Sequence, residues 1–188
     1  ALAYFTQASA QSPEGQPADV QLEVANGHMA SGDLDGAIEL LEKMPAGGAT
    51  GLQREYLLLT ALLRKGETAR AIAEVNQLVA KQGSDLKVRN LAAGVYAAAG
   101  QKDEARKQFN EALRIKPDDS TTLINLARLD LSDGKSREAE RGFLKVLDGD
   151  KDNLMATVGL AAIAASAGNY PEAEKWLTRA STDHPDSV

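Results

Sequence analysis

Apolar residues recur along the chain with the spacing of an α-helix, in segments that short turns separate. Between Val88 and Tyr96 they recur every three or four positions. The stretch AAAGQKD interrupts this pattern, which resumes at Ala105 and ends before Pro117, because proline cannot continue a helix. The pattern predicts a helix, a turn and a second helix.

This helix-turn-helix pattern repeats every 34 residues. A glycine recurs where each first helix must end, and glycine accepts the left-handed backbone conformation of a helix C-terminus. An alanine follows each glycine by five residues, where a small side chain lets two antiparallel helices pack closely. The two series are Gly32, Gly66, Gly100, Gly134 and Gly168, and Ala37, Ala71, Ala105, Ala139 and Ala173.

A 34-residue unit with these small residues, a large residue four positions after the alanine and a closing proline resembles the tetratricopeptide repeat (TPR). Residues 86–119 match best, with Tyr96, Phe109 and Pro117 in the family's places. The resemblance implies an all-α fold, a right-handed superhelical solenoid of helix-turn-helix TPR units. The aromatic residue that the family has early in each first helix is absent, and its positions hold Gln21, Glu55, Arg89, Leu123 and Thr157.

The period predicts one continuous array of repeats. The stretch ALAYFTQASAQSPEG (residues 1–15) is interpreted as the second helix of a truncated repeat, and residues 16–17 as a short insertion. We therefore expect a fragment of a longer protein whose exposed terminal helices support end-to-end self-association. Pro45 is expected to cut the second helix of the first unit short and to leave the loosest junction there. The five complete units are residues 18–51, 52–85, 86–119, 120–153 and 154–187.

In the TPR family, the first helices line a concave wall that holds peptides or partner helices. The resemblance therefore implies a non-catalytic protein–protein interaction scaffold that binds a protein or peptide partner in its concave groove. A structural spacer with an idle groove is the open alternative. The candidate binding residues, which supply an aromatic ring, cations and hydrogen-bonding groups, are Tyr56, Thr60, Arg64, Lys87, Asn90, Asn125 and Arg128.

The family's carboxylate clamp, which grips the C-terminal carboxylate of chaperone tails, is not matched. It requires lysine, asparagine and arginine side chains on successive repeats, and only Asn125 fits. Met155 and Gly159 stand where the final lysine and arginine should be. The sequence therefore does not predict a chaperone-tail adaptor.

Composition narrows the function classes further. The formal net charge of −6 argues against binding to nucleic-acid phosphates. There is no cysteine, and His28, at the end of a first helix, is expected to be a packed or half-exposed ring rather than a ligand or base. No apolar run approaches the ~20 residues of a membrane span. We predict no enzyme activity, no metal, no cofactor, no nucleic acid partner and no membrane span.

A narrower resemblance concerns several units in order. The segment TLINLARLDLSDGKSREAERGFLKVL, with LLLTALLRKGETARAI before it and AAIAASAGNYPEAEKWLTRA after it, looks like the repeat arrays of the bacterial PEP-CTERM/exosortase system. Those are lipoproteins associated with exopolysaccharide production. This resemblance implies a role in export or protein sorting in the bacterial cell envelope, on the periplasmic side, with a lipid anchor in the full-length protein.

Overall fold

The computed structural model describes residues 16–47 and 49–183, and this part of the chain contains ten α-helices and no β-strand. The predicted helix in residues 1–15 lies outside the described residues. The all-α class is confirmed for the described part. The helices are α1 (Ala18–Ser31), α2 (Leu34–Lys43), α3 (Gly51–Lys65), α4 (Thr68–Gln82), α5 (Leu86–Ala98), α6 (Lys102–Ile115), α7 (Ser120–Ser132), α8 (Ser136–Gly149), α9 (Leu154–Ser166) and α10 (Tyr170–Asp183).

The helices form consecutive pairs, in which each odd-numbered helix packs against the even-numbered helix that follows it. Two compact units are present, residues 1–82 and residues 83–188. Unit 1 contains α1 to α4, and unit 2 contains α5 to α10. In each unit the helix pairs also pack against their neighbours along the chain, so that successive repeats share one apolar core.

The turn inside each helix pair contains the glycine of the 34-residue series. Gly100 has a φ of 76° and its N–H donates to Ala97 O at 3.0 Å. Gly66 has a φ of 86° and donates to Leu63 O at 3.1 Å. A residue with a Cβ is strained at such a φ, which explains why the turn repeats with glycine.

The alanine of each unit lies in the contact between the paired helices. Four of the five are fully buried, and Ala173 is 6% exposed. The large residue four positions later is at most 3% exposed in the first four units. In the fifth unit the equivalent Leu177 is 47% exposed. The buried large residues are Leu41, Val75, Phe109 and Phe143.

Polar side chains start several of the helices. Asp33 caps α2, since its carboxylate accepts from Gly36 N at 2.9 Å, and His28 Nδ1 lies 2.6 Å from its other oxygen. The backbone hydrogen bond from Gly36, with that of His28, lowers the pKa of Asp33. Asp119 caps α7 in the same way by accepting from Thr122 N at 3.0 Å. These contacts satisfy backbone donors that have no partner inside a helix.

The position of the missing aromatic residue is filled by hydrogen-bonded polar groups in two units. Arg89 Nε donates to Gly83 O and its terminal nitrogen to Gln108 Oε1, both at 2.7 Å. Glu55 accepts from Arg54 at 2.6 Å. In the last two units, a buried leucine and a buried threonine take this place. The core is therefore completed without the family's aromatic ring.

Helix α2 ends early, as the sequence predicted. It has 10 residues, where α4 has 15, because Pro45 follows Met44. Arg54 Nε donates to Leu41 O at 2.7 Å, so the shortened helix end still has a partner for a free carbonyl. Met44 is only 4% exposed. Whether this junction is the loosest of the array stays a prediction.

Ion pairs join neighbouring helix pairs in each unit. In unit 1, Lys65 Nζ lies 2.6 Å from both Asp35 Oδ1 and Glu67 Oε1, which raises the pKa of Lys65. In unit 2, a cluster of Arg106, Lys102, Asp130 and Asp133 joins α6 to α7. Since Lys65 and Asp133 occupy equivalent repeat positions 68 residues apart, the same contact is made with its charges reversed.

The carboxylate of Asp133 is the exposed end of this cluster. Lys102 Nζ lies 2.9 Å and an Arg106 nitrogen 2.6 Å from its oxygens. These hydrogen bonds lower the pKa of Asp133. Asp130 is only 5% exposed and has Arg106 as its ion-pair partner. The buried carboxylate is thus neutralised by a side chain of the preceding repeat.

Candidate functional site

In unit 1, the candidate residues lie along α3 at intervals of one helical turn. Tyr56 is 56% exposed and Arg64 is exposed as well. Thr60 is half-buried, and its hydroxyl donates to Tyr56 O at 2.7 Å, so it is already engaged within its own helix. Arg64 has no ion pair or hydrogen bond among the described residues. Tyr56 and Arg64 are therefore the accessible candidates of this unit.

In unit 2, the candidate residues belong to a wider surface on α5, α7 and α9. We call it the first-helix face of unit 2. Equivalent positions on these helices differ by 34 or 68 residues, and they are neighbours because the repeats stack in sequence. The face consists of Lys87, Asn90, Gly94, Asn125, Arg128, Met155, Val158 and Ala162, all of which are exposed or half-buried.

Asn90 also has a structural contact. Its side-chain oxygen lies 2.9 Å from Thr122 Oγ1, and that hydroxyl is 2.7 Å from Asp119 Oδ2. The single hydroxyl proton is therefore shared between an amide on α5 and the capping carboxylate of α7. Thr122 is fully buried, whereas Asn90 and Asn125 are half-buried. Asn90 links two repeats and is less available to a partner than the sequence suggested.

The charges of unit 2 are unevenly distributed between its first and second helices. Helices α5, α7 and α9 contain Lys87, Arg89 and Arg128 but only one carboxylate, Asp130, which is buried against Arg106. Each second helix carries both signs, with surface pairs such as the one between Arg114 and its neighbour Glu111. The first-helix face therefore presents cations and no exposed carboxylate.

Lys87 and Arg128 are the free cations of this face. Both are exposed, and among the described residues neither side chain forms an ion pair or hydrogen bond. Arg128 occupies the repeat position that Gly94 holds one unit earlier and Ala162 one unit later. A Cβ added to Gly94 would meet no atom within 4 Å. The guanidinium of Arg128 is therefore flanked by the two smallest side chains of the face.

The end of the face on α9 is apolar. Met155 is 50% exposed and Val158 is 42% exposed, and Ala162 follows them one turn later. Gly159, between them, has a different role, since a Cβ there would lie 2.5 Å from Phe143 Cζ. Exposed apolar side chains beside unpaired cations are a combination that suits a protein partner.

Catalytic and metal-binding chemistry find little support in the described residues. No group of three His, Asp or Glu side chains there is placed to hold a metal ion. His28 is half-buried and paired with the cap residue Asp33, and Trp176 is half-buried with Arg179 Cζ 5.7 Å from its ring centre. Each helix of the described part is too short or too polar to cross a lipid bilayer.

Comparison with protein families identifies the class. A tetratricopeptide repeat family model matches residues 56–120 and 124–188, which is more than half of the chain. The chain therefore belongs to the tetratricopeptide repeat family. The predicted solenoid of helix-turn-helix repeats and its general use in protein binding are confirmed at this level.

Solved structures show the same fold in distant proteins. TTC0263, a thermophilic TPR protein of Thermus thermophilus, has a TM-score of 0.68 at 20% identity over 90% of this chain and 92% of its own. A tetratricopeptide repeat protein of Parabacteroides merdae has a TM-score of 0.67 at 22% identity over 90% and 67%. MamA has a TM-score of 0.65 at 16% identity over 86% and 95%. At these identities the likeness shows the fold alone.

No curated protein matches the sequence. The narrower resemblance to the PEP-CTERM/exosortase lipoproteins has no support among these comparisons.

Two features of the face were missed in the candidate set from the sequence. Met155 and Val158 were assigned to the groove by position but were not selected as binding residues, although the 34-residue period aligns them with Lys87 and Asn90. The contact of Asn90 with Thr122 was not foreseen. Its available signal was the D-x-x-T spacing from Asp119, which marks a helix start with a buried hydroxyl.

Proposed function

We propose that the protein is a non-catalytic scaffold that binds a partner protein or peptide with the exposed faces of its first helices. The observation that carries this proposal is that Arg64, Lys87 and Arg128 are exposed and have no partner among the described residues. Most other cations of the chain form ion pairs with its own carboxylates. Unpaired cations beside the exposed Tyr56 ring are the side chains that contribute most to protein interfaces.

The test compares capture of partners by wild type and by two triple variants. In the face variant, Tyr56→Ala, Lys87→Ala and Arg128→Ala remove one ring and two cations from first helices. The matched control, Tyr170→Ala, Lys107→Ala and Arg114→Ala, removes the same residue types from exposed positions on second helices. Circular dichroism and thermal unfolding establish that all three proteins are folded.

We expect immobilised wild type and the control variant to retain the same proteins from an extract of the source cells, and the face variant to lose them. Equal retention by all three would contradict the proposal and favour the spacer. A spacer predicts in addition that deletion of one whole repeat, residues 86–119, alters the cellular phenotype while the face variant leaves it unchanged.

A second proposal is end-to-end self-association, which the exposure of Leu177 supports. The equivalent residue is buried in every preceding repeat, whereas Leu177 is 47% exposed and Tyr170 is 71% exposed. Leu177→Asp should then lower the molar mass measured by light scattering at high concentration. A molar mass that is monomeric in wild type would contradict this proposal.

The location in the bacterial envelope, with a role in export or protein sorting, is also a proposal and rests on the order of the repeat segments in the sequence. Fractionation of source cells with an antibody against this chain tests it. A signal in the membrane and periplasmic fractions supports the proposal, and a signal confined to the cytosolic fraction contradicts it.

A further inference from the structure

We propose that the partner of the first-helix face of unit 2 is an acidic peptide segment. Arg128 binds a side-chain carboxylate of this segment, and Met155 with Val158 contacts an apolar residue beside it. This inference rests on the proposed function and specifies the chemistry of the partner.

The charge distribution is the first argument for an acidic partner. The whole chain has a net charge of −6, yet the face contains Lys87 and Arg128 and no exposed carboxylate. Elsewhere in unit 2, the cations at the surface lie beside carboxylates, such as Arg141 beside Glu138 at 3.4 Å. The chain therefore leaves its first-helix cations unneutralised. A segment with carboxylates complements this face, and a basic segment or a second copy of the same face is repelled.

The surroundings of Arg128 are the second argument. A guanidinium binds a carboxylate through two parallel hydrogen bonds, which requires room on both sides of its plane. Gly94 and Ala162 provide that room at the equivalent positions of the neighbouring repeats. Glycine inside a helix is destabilising, and Gly94 has no packing reason, because a Cβ there would meet nothing within 4 Å. An approaching peptide backbone accounts for the bare surface.

The apolar end of the face selects the residue next to the carboxylate. Met155 occupies the repeat position of Lys87, and Val158 that of Asn90, so the charged and apolar parts are adjacent on stacked helices. Exposure of half of Met155 and 42% of Val158 leaves surface that an aliphatic or aromatic side chain can cover. The face thus reads a short pattern of one acidic and one apolar residue rather than charge alone.

The test is a selection of phage-displayed random dodecapeptides on immobilised unit-intact protein, followed by binding measurements on synthetic peptides. Selected peptides are measured by fluorescence anisotropy against wild type, Arg128→Ala, Gly94→Leu and the control Lys107→Ala. Gly94→Leu fills open space without a clash, so it blocks the face and keeps the fold. Each peptide is made with a free and with an amidated C-terminus, and a scrambled acidic peptide controls for charge alone.

We expect enrichment of peptides with Asp or Glu next to an apolar residue. Arg128→Ala and Gly94→Leu should each weaken binding by about ten-fold or more, and Lys107→Ala should leave it unchanged. Amidation should have no effect, since the carboxylate belongs to a side chain. Binding should weaken as salt rises.

Three outcomes would overturn the inference. Selected peptides without acidic residues that still lose affinity in Gly94→Leu would retain the proposed function and refute the acidic partner. Loss of binding on amidation would assign Arg128 to a terminal carboxylate instead. Peptides that bind all variants equally well would refute both the inference and the use of this face.

Discussion

The ring of Phe143 lies against the backbone of Gly159, one repeat further along the chain. An added Cβ at this glycine would be 2.5 Å from Phe143 Cζ and 2.6 Å from Cε2. Phe143 is only 1% exposed and packs in a core cluster with Val146 and Leu160, so its ring has no free space to enter. We expect Gly159→Ala to lower the free energy of unfolding by about 1–3 kcal/mol, measured by urea denaturation.

Gly94→Ala is the matched control for this substitution. Gly94 is also inside a first helix, but its Cβ would meet nothing within 4 Å. Here we expect an increase in the free energy of unfolding of about 0.5–1 kcal/mol, because alanine favours the helix and removes freedom from the unfolded chain. Destabilisation by both substitutions to the same extent would show that helix packing around Phe143 is not the cause.

The two glycines also show how far the sequence could predict this protein. The period of 34 residues was enough to predict helix pairs, their turns and the buried alanines, because each depends on spacing within one repeat. Gly94 and Gly159 look alike in that pattern. Which of them faces a ring depends on the rotation of one helix against its neighbour, and only the packed structure contains that information.

The candidate site was predictable to a similar degree. The repeat pattern assigned Tyr56, Lys87 and Arg128 to one side of the first helices, and all three are exposed. It could not reveal that Thr60 and Asn90 already have partners, since the contact between Asn90 and Thr122 joins residues 32 apart. Hydrogen bonds between repeats depend on side-chain geometry that periodicity does not describe.

One repeat position should respond differently to truncation in different units. Phe143 and Leu177 both follow the series alanine by four residues, but they are 1% and 47% exposed. We expect Phe143→Ala to cost about 3–5 kcal/mol of unfolding free energy, because it leaves a cavity in the core. Leu177→Ala should cost less than about 1 kcal/mol. Equal losses in urea denaturation would contradict the exposure of Leu177.

The cluster around Arg106 should be sensitive to the loss of its cation. Arg106→Ala leaves the buried carboxylate of Asp130 without its ion-pair partner, and we expect a loss of about 2–3 kcal/mol of unfolding free energy. Arg114→Ala removes an exposed surface pair and should cost less than about 1 kcal/mol. Adding Asp130→Leu to Arg106→Ala should restore part of the loss, because no unpaired charge then remains. A double variant less stable than Arg106→Ala would contradict this account.

Stability should also fall in acid, and Asp133 offers a direct test. The hydrogen bonds of Lys102 and Arg106 lower its pKa from 3.8 in the folded chain. A lowered carboxyl pKa means that the unfolded chain binds the proton more tightly, so the contribution is complete above the unfolded pKa and is lost as the pH falls through the folded value.

In urea titrations between pH 7 and pH 3, we expect Asp133→Asn to be less stable than wild type at neutral pH. The difference between the two proteins should shrink below about pH 4, where wild type loses the contribution of this carboxylate. Asp118→Asn, which changes an exposed carboxylate outside the cluster, should give a curve parallel to that of wild type. A constant difference between Asp133→Asn and wild type across this range would show that the ion pairs of Asp133 do not stabilise the fold.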